Sequence, residues 1–119
     1  MREQIRDKGR LEHMLEAMDN VKEFTQGVSY EELIGNKILC HAVVHNVQVV
    51  GEAAYKITKE YCSTHPDVEW KDIIALRHVL VHDYYRIDFS ELWTIIHEEL
   101  PPLREQIAAY IAEFPEDEE

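Results

Sequence analysis

Hydrophobic positions recur at spacings near three and four along most of the chain, the period of helices laid against a core. The series Ile5, Leu11, Leu15, Met18, Val21 and Phe24 predicts a first helix over 3–25, with Gly27 placed to stop it. Ser29-Tyr30-Glu31-Glu32 matches a capping box, Ser29 as N-cap and Glu32 reaching back to it. It opens a second helical region over 30–63, with a break expected near Gly35-Asn36. The Val-rich centre, Ile38 to Ile57, would permit a strand, but its length and the series Leu39, Val43, Val47, Val50, Ala54, Ile57 favour a helix buried on much of its surface. Gly51 inside it costs about 1 kcal/mol of helix propensity relative to Ala, and close approach of a neighbouring helix is one use for it.

Ser63-Thr64-His65-Pro66 ends that region, because the residue before proline avoids the α conformation. A third helix is predicted over 69–84. Asp88-Phe89-Ser90-Glu91 is a second box-like start, with Asp in place of Ser or Thr. The fourth helix runs over 89–113 through Leu92, Trp93, Ile96, Leu100, Leu103, Ile107, Tyr110 and Ile111. Pro101-Pro102 demands a kink or restart within it. The pattern is that of an all-α protein, a bundle of four helices with short connections. It is read as one domain, 1–114, and an acidic tail, 115–119.

The third helix carries an anomaly, in the stretch RHVLVHDYYR from Arg77 to Arg86. On a helical wheel at about 100° per residue, Trp70 and Tyr84 fall within about 20° of Arg77, and Ile73, Ile74, Leu80 and Val81 within about 60°. Arg77 thus lies near the centre of the most apolar face, where an unpartnered charge is costly. Three readings stay open. The guanidinium pairs with a carboxylate of another helix, Glu52 being a candidate. Alternatively the face is half-buried and Arg77 snorkels out. Or an apolar-walled pocket or subunit interface holds a cation for an anionic ligand such as phosphate. His82 lies about 140° from Arg77, and His78 about 40° from His82. Arg77 and His82 can share a site if the helix unwinds near Asp83, or if a second copy of the chain supplies part of it.

Composition narrows the classes. The 119 residues are 45% hydrophobic and 30% charged, with only 4 Gly and 4 Pro, as suits one globular helical domain. A formal net charge of −12 argues against a broad nucleic-acid surface, so any such site is a local basic pocket. The same charge fits a basic protein partner or simple solubility. No apolar run reaches the roughly 18–20 residues of a membrane span. The first ten residues lack a secretory apolar region, and Cys40 and Cys62 stand apart as thiols suited to a reduced compartment. A cytoplasmic location is expected. His41/His45 and His78/His82 are pairs at i, i+4 that could hold zinc, yet no third ligand and no HExxH accompany them. No metal or cofactor is expected, and the two cysteines read as small core residues.

The order Arg77, four residues, His82, one residue, Tyr84 resembles the signature of the HEPN superfamily in its HepT-like branch. The flanks resemble it too: Val49-Val50-Gly51-Glu52-Ala53-Ala54, Pro66 to Trp70, Tyr85-Arg86-Ile87-Asp88 before Leu92-Trp93, and Leu100-Pro101-Pro102-Leu103. The resemblance covers nearly the whole chain. It implies an antiparallel HEPN four-helix bundle forming a homodimer with the motif helices at the interface. It implies a metal-independent endoribonuclease, the toxin of a type VII-like toxin–antitoxin pair. The implied partner is a MntA-like nucleotidyltransferase antitoxin that transfers AMP to the motif tyrosine, here Tyr84.

In that reading His82 serves as general base or acid for the ribose 2′-hydroxyl, and Arg77 offers a bidentate fork to the phosphate, leaving a cyclic phosphate. AMP on Tyr84 would fill the site with negative charge. Two positions depart from the branch: His78 stands where Asn or another polar residue is common, and His45 near a place that often carries arginine. His78 and Tyr84 are supporting residues. The alternatives are a non-catalytic nucleotide- or protein-binding module partnering a minimal nucleotidyltransferase, and a helical scaffold with a buried Arg–Glu pair.

Overall fold

The computed structural model describes the backbone of residues 2–79 and 88–115, and the side chains of 6–78 and 88–115. All regular structure among these residues is helical: α1 (Arg2–Thr25), α2 (Tyr30–Gly35), α3 (Lys37–Tyr55), α4 (Lys59–Thr64), α5 (Trp70–Val79), α6 (Phe89–Thr94) and α7 (Leu100–Ala112). A π-helical segment, Ile95–Glu99, joins α6 to α7. The Ile5 side chain, the third predicted helix beyond Val79 and the acidic residues from 116 onward lie outside the described residues.

α3 is the central element, packed against α1 on one side and α5 on another, while α1 also meets α7. Its predicted stripe is the core: Val43, Val47, Val50 and Ala54 are fully buried, facing Leu11, Met14 and Val21 of α1 within one cluster that also takes in Leu92, Leu103 and Ile107. Fully burying one such aliphatic side chain contributes roughly 1.5–3 kcal/mol. The first helix turns slightly from expectation. Met14 and Ala17 lie in the core, whereas Phe24 is half out in solvent.

The second helical region is three helices, divided at Asn36 as expected and again at Lys56–Thr58. Asn36 ends α2 and caps α3, its Oδ1 accepting from the Leu39 N–H at 3.0 Å. The break at Lys56–Thr58 was not expected, and α1 holds it open. Buried Asp7 accepts from the Thr58 N–H (3.0 Å) and hydroxyl (2.7 Å), and Arg10 donates to the Lys56 carbonyl at 2.6 Å. Thr58 in turn caps α4. These side chains satisfy backbone groups that a continuous helix would have used. As expected, α3 is buried on much of its surface, with one face left open. Ile38 is 84% exposed, and His41, His45, Glu52 and Tyr55 also face outward.

Several local signals hold as read. Gly27 takes φ +74°, a conformation that favours glycine, and stops α1. The capping box forms in full: the Glu32 N–H donates to Ser29 Oγ at 3.1 Å and the Ser29 N–H to Glu32 Oε1 at 2.8 Å. Asp88 caps α6 by accepting from the Glu91 N–H. The fourth helix restarts at its prolines, α7 beginning at Leu100, and the distortion falls in the turn before them. Pro101 and Pro102 sit in the first turn of α7, where a missing N–H is tolerated. Their rings would crowd the carbonyls four residues back. The turn before them widens instead, and the Leu100 N–H reaches the Ile95 carbonyl five residues back.

Candidate functional site

The entry to α5 is fixed by aromatic packing. Trp70 is buried, its indole N–H donates to the His65 carbonyl at 2.8 Å, and its ring lies against Tyr61 and Tyr110. With Val68 also buried, the segment from Pro66 to Trp70 sets both the start and the rotation of the helix. That rotation brings Leu76 into the core, leaves Ile73 and Ile74 half-buried, and puts Arg77 at the seam with α3.

Gly51 makes the seam. A Cβ on it would overlap the backbone nitrogen of Arg77 and stand 3.0 Å from the Leu76 carbonyl carbon and 3.1 Å from Arg77 Cα. The two helices therefore touch backbone to backbone at the residue that carries the guanidinium. The expected close approach is found, and its location ties the glycine to the arginine.

Residues 41, 45, 48, 52 and 55 fall within about 80° of one another on α3 at about 100° per residue. His41, His45, Gln48, Glu52 and Tyr55 thus share one face. Arg77 crosses its C-terminal end. Its Nη1 lies 3.8 Å from Glu52 Oε1, and its Cζ lies 3.5 Å from the centre of the Tyr55 ring. The first separation is longer than a hydrogen bond, so the ion pair leaves the donors of the fork uncommitted to the carboxylate. The second is a close cation–π contact. The Arg77 side chain is 23% exposed, and its Nε is buried with no hydrogen-bond partner among the described residues.

Of the open readings for Arg77, the structure combines two: a partner on α3, and a half-buried stem. His78, one residue on, is exposed. His82 and Tyr84 lie outside the described residues. Sequence reasoning missed Tyr55, although it stands three residues after Glu52 and hence on the same face.

Other candidates are not drawn to this seam. His41 and His45 are exposed on α3, and no cluster of three or more metal-ligating side chains occurs among the described residues. Burial pushes the thiols of Cys40 and Cys62 up, with Asp7 adding to the effect at Cys62. Both are therefore poor nucleophiles at neutral pH. A cleft of about 320 Å³ lies between α1 and the start of α7, away from Arg77. Its arginine, Arg104, is already held by Asp19 at 2.9 and 3.4 Å. No helix among the described residues is long and apolar enough to cross a membrane.

Residues 14–110 match the family described as “Ribonuclease HepT-like”. The chain belongs to this HepT-like family. Among curated proteins it is 35% identical to “Putative RNase MJ1380” of Methanocaldococcus jannaschii, over 84% of this chain and 92% of that one. It is 30% identical to “Probable ribonuclease HepT” of Thermococcus cleftensis, over 82% of this chain and 88% of that one. No solved structure matches it significantly. HepT-like membership accords with the all-α fold.

Proposed function

We propose that this protein is a metal-independent endoribonuclease of the HepT-like family, acting on RNA in the cytoplasm as the toxin of a type VII-like toxin–antitoxin pair. Residues 1–114 form its one domain, with 115–119 an acidic tail. The observation that supports this most is the Arg77 seam. A guanidinium stands at a backbone-to-backbone helix contact, stacked on one side and not hydrogen-bonded to its neighbouring carboxylate. Such a cation is preorganised for a phosphate.

Arg77 binds the scissile phosphate and stabilises the charge that develops on it. His82 takes the proton of the ribose 2′-hydroxyl and returns one to the leaving oxygen. His78 and Tyr84 support the site, and a homodimer joins the two copies of α5. A MntA-like nucleotidyltransferase silences the toxin by transferring AMP to Tyr84, which adds a bulky anion to the motif tyrosine.

The test is cleavage of RNA in EDTA by the purified protein and by His82→Ala. Wild-type cleavage and its loss in the variant are expected; undiminished cleavage in the variant would remove His82 from the mechanism. Mass spectrometry of protein co-expressed with its nucleotidyltransferase should show AMP on Tyr84. A stable complex without RNA turnover would instead favour a binding module.

A further inference from the structure

We propose that Tyr55 is a positioning residue for Arg77, holding the guanidinium in an open geometry that Glu52 would otherwise close. Four observations meet at this point. Tyr55 is 53% exposed, one of few large hydrophobic residues left in solvent among the described residues. The guanidinium stands over it, with Cζ 3.5 Å from the ring centre. Glu52, three residues before Tyr55 on the same helix face, is near enough to attract Arg77 yet stays at 3.8 Å. And Arg77 cannot move away as a unit, because its backbone is pressed against Gly51.

An arginine and a carboxylate at this range normally close to a bidentate pair of two parallel hydrogen bonds. That pair would neutralise the cation and occupy the fork a phosphate needs. A ring stacked on the guanidinium opposes the closure: it holds the plane by cation–π attraction while leaving the N–H edges unoccupied, since an aromatic face accepts no strong hydrogen bond. Tyr55 thus keeps the Arg77 fork available, and Glu52 marks the edge that a phosphate would approach. Neither the apolar series of α3 nor the arginine-histidine-tyrosine order marks Tyr55 for this.

The inference rests on the nuclease reading for its kinetic arm and on Arg77 alone for its spectroscopic arm. Tyr55→Leu, which keeps bulk and removes the ring, should lower kcat for RNA cleavage about tenfold, the rate equivalent of roughly 1.4 kcal/mol. KM should change less than about twofold if only transition-state binding is lost. Tyr55→Phe, which keeps the ring, should restore most of the loss. Glu52→Gln added to Tyr55→Leu should recover part of it, because the competing carboxylate is gone.

A kcat for Tyr55→Leu equal to wild type, or equal losses in Leu and Phe, would overturn the proposal. Independently of turnover, the Arg77 Nε–H resonance, assigned by its absence in Arg77→Lys, should shift between wild type and Tyr55→Leu and stay in place in Tyr55→Phe. An inactive wild type with that shift sinks the nuclease reading and keeps the stack; an active wild type with no shift sinks the stack.

Discussion

Gly51→Ala tests the seam on which the site is built. The added methyl would meet the Arg77 nitrogen, the Leu76 carbonyl carbon and Arg77 Cα, all main-chain atoms. No side-chain rotation relieves that contact, so α3 and α5 must part. Overpacking of this kind costs typically 1–3 kcal/mol. Against it stands the gain of about 1 kcal/mol when alanine replaces glycine inside a helix. Gly9 separates the two effects. It lies within α1, and a Cβ on it would meet nothing within 4 Å, so Gly9→Ala carries the propensity gain alone. The propensity cancels in the difference between the two variants, which isolates the clash at about 1–3 kcal/mol. Urea unfolding followed by circular dichroism, at one protein concentration, reads this as a separation of midpoints. With an m-value of about 2 kcal/mol per molar urea, the separation is about 0.5–1.5 M. Gly51→Ala should also lose RNA cleavage, since Arg77 moves with its backbone. A midpoint for Gly51→Ala at or above that of Gly9→Ala would refute the close contact.

Ser29→Ala removes one half of a complete capping box and should lower stability by about 1 kcal/mol, read by the same unfolding curves. Asp7→Ala leaves the Thr58 N–H and hydroxyl without their acceptor; a loss of roughly 1–3 kcal/mol is expected, with amide exchange rising first around residues 56–58. Hydrogen bonds from the Glu91 N–H and the Ser90 hydroxyl hold the Asp88 carboxyl below its ordinary value. Its contribution is therefore present above the unfolded value of about 4 and lost as pH falls through the lower folded one. Wild type should lose more stability than Asp88→Asn on acidification below about pH 4, and parallel pH curves would refute the cap's role.

The fold was legible wherever a signal was local. Ser29 to Glu32, Gly27, Asp88 and the α3 stripe each act within a turn or two of themselves, and each forms as the pattern demands. What the pattern missed depends on contacts distant in sequence. The break at Lys56–Thr58 is made by Asp7 and Arg10, about fifty residues upstream. Nothing in Ile57 or Thr58 alone announces it, although Thr58 is a good N-cap once the chain has turned. Ile38, at the edge of the Val-rich centre but outside its stripe, is 84% exposed. The prolines marked the right place, yet their effect falls one turn earlier, in the carbonyls their rings would have struck.

The site was half legible for the same reason. The wheel made Arg77 anomalous, and the anomaly was genuine in origin but not in degree. The axis of burial on α5 runs nearer Leu76, which places Arg77 at the rim of the apolar face rather than its centre. That offset matters chemically. A guanidinium at the centre of the face would need a full ion pair and would be consumed by it. At the rim, with Gly51 against its backbone and the Tyr55 ring below Cζ, its carboxylate partner among the described residues stays 3.8 Å away, the arrangement that the proposed phosphate role calls for. Glu52 could be guessed from the sequence as a countercharge. Tyr55 could not, because the reason for it appears only once α5 is seen to cross α3 at Gly51.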